Sequence, residues 1–177
     1  HTRLQGDWSS DVCSSDLNLD LKDSIPKFYV QNPLPSYALT NLSNAGFNKI
    51  YYLYSKNFNE RYDSLKIDSL KNGGLEYVCR PEITDTFLME FYADLLNRAN
   101  NKVDDNQEKV YIHCWNGWHQ SGMLSALSLM QFCDFDAKTA TKYWELCTER
   151  NYKGYQKVRT RINEYKPLPD FKFTALQ

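Results

Sequence analysis

The segment Val110–Phe132 constrains the fold of this chain most, because it predicts a strand, a tight turn and a buried helix in direct succession. Val110–Ile112 is β-branched and aromatic, as strands are. The next ten residues, His113–Gly122, read His-Cys-Trp-Asn-Gly-Trp-His-Gln-Ser-Gly and contain the glycine that a sharp turn needs. Ser121–Phe132 is apolar on nearly every side, which is typical of a helix in the centre of a domain.

A cysteine at the junction of this strand and turn predicts a specific kind of site. The free backbone N–H groups of a turn that leads into a helix N-terminus converge on an anion such as phosphate. The same field favours the thiolate form of Cys114, and the thiolate is the nucleophilic form. We therefore predict an anion site with a reactive sulfur at its base.

The ten residues resemble the signature loop of the cysteine-dependent protein tyrosine and dual-specificity phosphatases. That loop reads His-Cys, two residues, Gly, two residues, Arg, Ser or Thr, Gly. The matching positions are held here by His113, Cys114, Gly117, Ser121 and Gly122. Gln120 stands where the family has its arginine. The resemblance implies a phosphatase-like domain, with a phosphorylated protein or a small phosphoester as the ligand, and we predict no cofactor.

The resemblance also implies a role for each catalytic residue. Cys114 would attack phosphorus and form a phosphocysteine, and Ser121 would donate to the sulfur and help it leave in the second step. His113 would orient the loop by hydrogen bonding. The family uses an aspartate on a separate loop as the general acid, and Asp85 is placed correctly for it, with Glu82 as the alternative. Asp85 would instead be a helix N-cap if it plays a structural role.

The remaining loop residues are predicted to bind the anion or to shape its pocket. They are Trp115, Asn116, Gly117, Trp118, His119, Gln120 and Gly122. Gly117 would allow the sharp turn, and Gly122 would allow close helix packing. The two tryptophans would either wall the pocket or pack on neighbouring loops. No cysteine and histidine spacing typical of zinc is present, so we predict no metal.

Gln120 weakens the prediction of activity. A guanidinium offers a planar fork of charged donors, whereas glutamine offers one neutral NH₂ group. Loss of the guanidinium raises the activation free energy by on the order of 3 kcal/mol, which slows the reaction at least about a hundredfold. The chain would then be a slow or altered hydrolase, or a catalytically inactive pseudophosphatase that binds phospho-ligands, or a hydrolase in which another cation has replaced the arginine. The candidate cations are His119, Arg80, Arg61, Arg150, Arg159 and Arg161. A rhodanese-like thiol enzyme is a further alternative.

The N-terminal segment His1–Leu17 is similar to the translation of a short-read sequencing adapter. We therefore expect residues 1–17 to be a non-native tail and residues 18–177 to form one phosphatase-like domain. Adapter read-through is typical of assembled environmental reads and predicts a bacterial source. An exported and a cytoplasmic location both stay open, since an upstream segment could be missing.

Charge and hydropathy exclude some classes of partner. Without residues 1–17, which hold Arg3 and three aspartates, the net charge is near +1. This gives no basic field for nucleic acid. No run of eighteen apolar residues occurs, which predicts no membrane span in the visible chain.

Strands and helices are predicted to alternate along the chain. The predicted strands are Phe28–Val30, Lys49–Tyr54, Leu75–Cys79 and Val110–Ile112. The predicted helices are Leu39–Ala45, Asn59–Leu70, one that begins near Thr84 or Asp85 and ends before Asn97, Ser121–Phe132, one capped by Asp136, and Tyr155–Tyr165, which Pro167 ends. This alternation predicts an α/β domain with a mainly parallel central sheet flanked by helices. Ligands bind such sheets at the carboxyl ends of the strands, where Cys114 lies.

Overall fold

The computed structural model describes residues 41–54, 75–100, 109–114, 118–148 and 151–172. The predicted strand Phe28–Val30 and the predicted helix Asn59–Leu70 lie outside these ranges, as does the segment of residues 1–17.

The described strands and helices follow one another in the predicted order. Their order is β1 (Phe47–Tyr52), β2 (Glu76–Cys79), α1 (Asp85–Asn100), β3 (Lys109–His113), α2 (Gln120–Phe132), α3 (Ala137–Cys147), a 3₁₀ turn (Asn151–Gly154) and α4 (Gln156–Glu164). A helical turn at 41–44 precedes β1. No helix in the described ranges is long and apolar enough to cross a membrane.

The three described strands form one parallel sheet in the order β2-β1-β3. Tyr52 lies level with Cys79 on one side and with His113 on the other. The main chain of β1 continues this pairing, since the Leu53 N–H donates to the His113 carbonyl at 2.8 Å. The carboxyl ends of all three strands therefore meet at one edge, which confirms the predicted parallel α/β sheet.

One face of the sheet packs against the central helix α2. Tyr51 and Leu53 of this face share a core with Ile112 and with residues of α1 and α2. Every residue of α2 from Ser121 to Gln131 is buried, as the apolar sequence predicts. Two of its buried serines satisfy their hydroxyls within the helix, because Ser125 and Ser128 donate to carbonyls four residues earlier.

Helix α1 is longer than its polar C-terminal sequence predicts. It runs to Asn100, although Asn97 was expected to begin a polar connection. Arg98 explains the difference. Its guanidinium pairs with Asp94 one turn earlier at 3.1 Å, and it donates a hydrogen bond to Asn48, the second residue of β1. The last turn of α1 is thus tied to the sheet by polar contacts.

The helix starts follow the capping chemistry of the sequence. The Thr84 hydroxyl accepts from the Phe87 N–H at 3.1 Å and so caps α1. The Asp136 carboxylate accepts from the Thr139 N–H at 2.7 Å and caps α3 as predicted. Asp85 is the first residue of α1 and is therefore not occupied as its cap.

The chain beyond α4 is fastened to the central helix by one buried side chain. The Gln131 carbonyl oxygen accepts from the Tyr165 hydroxyl at 2.5 Å and from the Leu168 N–H at 2.8 Å. Its NH₂ group donates to the Leu168 carbonyl at 3.0 Å and to the Phe171 carbonyl. Both ends of the amide are satisfied, which is the condition for burying it.

Candidate anion site at the end of β3

Cys114 follows β3 directly and lies against the first turn of α2. Its side chain is 4% exposed, and its Sγ atom is 3.3 Å from the Ser121 hydroxyl oxygen. Ser121 is the second residue of α2 and is fully buried. The strand and the helix thus bring these two predicted catalytic residues into contact.

No side chain among the described residues caps the start of α2. His119 occupies the N-cap position without a side-chain capping bond, and the first turn contains no acidic residue. The Met123 N–H donates to the His119 carbonyl at 3.1 Å as the helix begins. Because the first N–H groups of a helix have no acceptor within it, those that precede Met123 need acceptors from outside the helix, and an anion is one such acceptor.

His113 is held in a cluster of tyrosines beneath the loop. Its Nε2 atom is 2.8 Å from the Tyr77 hydroxyl, and its ring stacks on Tyr52 with the centroids 4.7 Å apart. Burial lowers the pKa of His113 to about 3, although a hydrogen bond with the Cys114 backbone opposes this. The ring is therefore neutral at physiological pH, which suits a positioning role and not proton transfer.

The segment Trp118–His119 is held in place by α3 and by the residue that precedes α4. The Trp144 indole N–H of α3 donates to the Trp118 carbonyl at 3.1 Å. The Tyr155 ring, just before α4, lies 4.8 Å from the Trp118 ring and 4.7 Å from the His119 ring. Trp118 therefore packs on a neighbouring loop, which was one of its two predicted roles.

Gly122 lies where α2 and α3 approach each other closely. A Cβ atom at this position would come within 3.1 Å of Trp144 Cδ1, tighter than ordinary van der Waals contact. The absence of a side chain thus lets Trp144 reach the Trp118 carbonyl. Trp144 and Tyr155 were missed as site residues, because the sequence places them on inner helix faces and gives no signal of which loop they contact.

Gln120 has a buried atom that finds no partner among the described residues. The side chain is half-buried, and its Oε1 atom accepts no hydrogen bond among the described residues. Trp115, Asn116 and Gly117, the other predicted residues of the loop, lie outside the described residues.

The described arginines proposed as replacements for the missing guanidinium each pair with a carboxylate. Arg80 pairs with Glu90 at 3.5 Å, Arg159 with Glu145 at 2.7 Å, and Arg161 with Asp85. Arg61 and Arg150 lie outside the described residues. Within the described ranges, the structure therefore gives no support to a replacement by arginine.

His119 is a poor substitute cation. Burial lowers the pKa of its imidazole, and the ring packs against Tyr155. The neutral form therefore dominates near neutral pH. No group of three or more metal-ligating side chains gathers in the described part of the chain.

Asp85 lies at the start of α1, beyond the carboxyl end of β2. Its side chain is 79% exposed and pairs with Arg161 of α4. Cys79, the last residue of β2, lies level with His113 at the end of β3. Because β1 lies between these two strands, the ends of β2 and β3 are about 10 Å apart. Glu82, the alternative acid, is also exposed on the connection between β2 and α1. The general-acid role of either carboxylate stays a prediction.

The parallel sheet flanked by helices is a phosphatase-like α/β fold. In this fold Cys114 follows β3, and α2 begins beside its sulfur. The fold is similar to a solved structure of the catalytic core of Siw14. The TM-score is 0.54 at 16% identity, and the match covers 77% of this chain and 78% of that chain. At this identity the likeness establishes the fold.

No protein-family profile matches the chain, and a search of curated proteins finds no match.

Proposed function

We propose that the loop His113–Gly122 binds a phosphate-type anion and that Cys114 supports weak or altered phosphoester hydrolysis. The observation that carries this proposal is the contact of 3.3 Å between Cys114 Sγ and the Ser121 hydroxyl at the uncapped start of α2. A phosphorylated protein or a small phosphoester is the substrate class that the loop suits.

The reaction would proceed in two displacements. The Cys114 thiolate attacks phosphorus, the bond to the leaving oxygen breaks, and Asp85 or Glu82 supplies the proton to that oxygen. Water then attacks the phosphocysteine, phosphate leaves, and the sulfur recovers its electron pair while the Ser121 hydroxyl donates to it. Backbone N–H groups of the loop would stabilise the phosphoryl oxygens in both steps.

The partnering of the described arginines favours a second candidate function. A cradle that lacks the guanidinium still offers backbone donors to a phosphate, but it stabilises the transition state less. A pseudophosphatase that binds phospho-ligands without turnover would have this arrangement. The rhodanese-like alternative stays a prediction, and a sulfur-transfer assay tests it.

Hydrolysis of a generic aryl phosphate separates the two candidates. The enzyme is supported if the full chain turns over and Cys114→Ser abolishes the turnover, while Cys79→Ser at the end of β2 retains it. The binding module is supported if activity arises only in Gln120→Arg. Activity that survives Cys114→Ser contradicts the hydrolytic proposal.

A further inference from the structure

Trp144 of α3 lies against the first turn of α2 and is the largest fully buried side chain among the described residues. Its indole N–H donates to the Trp118 carbonyl at 3.1 Å, and its Cδ1 atom faces Gly122. Trp118 lies three residues before Ser121 in the sequence, and Gly122 directly follows it. Trp144 therefore contacts the chain on both sides of Ser121.

The hydrogen bond from Trp144 is made in a dry environment. The side chain is 0% exposed, and an indole nitrogen can only donate. If the Trp118 carbonyl moved away, this N–H would lose its described acceptor, and an unpaired buried donor is costly. The bond therefore resists any movement of residues 118–122 away from α3.

The same turn carries the contact on which the proposed chemistry depends. Ser121 is fully buried, its Oγ atom is 3.3 Å from Cys114 Sγ, and its carbonyl accepts from the Ser125 hydroxyl at 3.0 Å. Hydrogen bonds weaken steeply as their angle departs from linearity, so the contact with sulfur requires a fixed turn. The N-cap residue His119 makes no side-chain capping bond. The position of the first turn therefore depends on contacts from other elements, and Trp144 supplies one.

We infer that Trp144 is a positioning residue of the proposed reaction and that it acts through Ser121. By fixing the first turn of α2, the indole keeps the Ser121 hydroxyl within hydrogen-bond distance of Cys114 Sγ. This inference rests on the proposed function, in which that hydroxyl donates to sulfur as the phosphocysteine breaks down.

The second displacement is the step that this positioning serves. Water attacks phosphorus, and its proton passes to the carboxylate that gave up a proton in the first displacement. The bond between phosphorus and sulfur breaks, and its electron pair stays on the Cys114 sulfur, which the Ser121 hydroxyl stabilises. Loss of the indole N–H therefore slows the second displacement more than the first.

Trp144→Phe tests the inference, because it keeps a buried aromatic ring and removes the N–H donor. Stopped-flow hydrolysis of an aryl phosphate by the full chain separates the two displacements, since the aryl product is released in the first one. We expect Trp144→Phe to slow the second displacement roughly fivefold, as loss of one neutral hydrogen bond predicts, and to enlarge the burst of aryl product. Gly122→Ala is a second variant, whose Cβ atom would press on the indole and should give the same signature.

A double-mutant cycle with Ser121→Ala distinguishes the positioning role from a general loss of packing. If Trp144 acts through Ser121, Trp144→Phe has little further effect once the hydroxyl is gone, so the two effects are not additive. A loss of packing would slow the reaction equally in both backgrounds. Tyr92→Phe is the matched control, because it removes a buried hydroxyl from a ring that packs on Phe132 at the far end of α2, and it should leave the burst unchanged. Circular dichroism checks that each variant is folded.

Additive effects of Trp144→Phe and Ser121→Ala overturn the inference and leave the proposed hydrolysis intact. So does an unchanged second displacement in Trp144→Phe. If Trp144→Phe does not fold, the cycle is run with Gly122→Ala, and if the parent is inactive, it is run in the Gln120→Arg background. No turnover in either background overturns the proposed hydrolysis, and the inference with it.

Discussion

The buried imidazole of His113 makes the stability of the domain depend on pH, and the expected size follows from its surroundings. In the folded protein the pKa of His113 is about 3, against an ordinary value of 6.5, because burial removes the charged form from water. The folded state therefore stays neutral between these values, while the unfolded chain takes up a proton. The free energy of unfolding therefore keeps its full value with respect to this group above a pH of about 6.5, and it declines as the pH falls towards 3.

The decline amounts to about 1.4 kcal/mol per pH unit within this window. Between a pH of about 7 and about 5, it reduces the free energy of unfolding by about 2 kcal/mol. His113→Gln retains a hydrogen-bonding side chain beside Tyr77 but cannot titrate. Urea unfolding of both proteins at the two pH values isolates the effect, since every other titratable group is common to both.

The expected result is a loss in the parent protein that exceeds the loss in His113→Gln by about 2 kcal/mol. His119→Gln is the matched control, and a smaller difference is expected from it because that imidazole is half-buried. Equal losses in the parent and in His113→Gln would refute the view that His113 is buried in its neutral form.

Three further changes test the packing around the site. Gln131→Met should lower the free energy of unfolding by about 3 kcal/mol in urea titrations, because it leaves the Leu168 backbone groups without their partner; unchanged stability would contradict the role of this amide. Gly122→Val should lower the free energy of unfolding by about 2 kcal/mol in the same titrations, because the valine side chain would displace Trp144. An indole fluorescence identical to the parent's would contradict the close approach of Gly122 and Trp144. Tyr155→Ala should weaken aryl phosphate binding severalfold, because it removes the ring that packs against Trp118 and His119, whereas Tyr155→Phe keeps the ring and should not. Equal affinities of the two variants would show that the ring does not position the loop.

The fold and the place of the candidate site were predictable because their signals are local in the sequence. The β-branched strand that ends at His113 and the apolar run that follows Ser121 each fix their own structure. Parallel strands then place their carboxyl ends at one edge, so the position of Cys114 follows from the order of elements. The predicted cap at Asp136 is confirmed for the same reason, since a capping bond spans three residues.

Contacts between distant parts of the chain were not predictable in this way. Helix α1 extends to Asn100 because Arg98 reaches Asn48, fifty residues earlier, and nothing near Arg98 in the sequence announces that partner. Trp144 and Tyr155 support the loop through contacts that span at least 26 residues. Periodicity identifies such side chains as buried but does not say against which neighbour.

The anchoring of the chain after α4 bears on where this domain can be cut. Pro167 is an obvious place to end a fragment, because α4 ends before it, at Glu164. A fragment trimmed there would lose the Leu168 and Phe171 carbonyls and leave the Gln131 amide with unmet donors inside an apolar interior. Anyone who excises this unit for crystallisation or fusion should therefore place the boundary after Phe171.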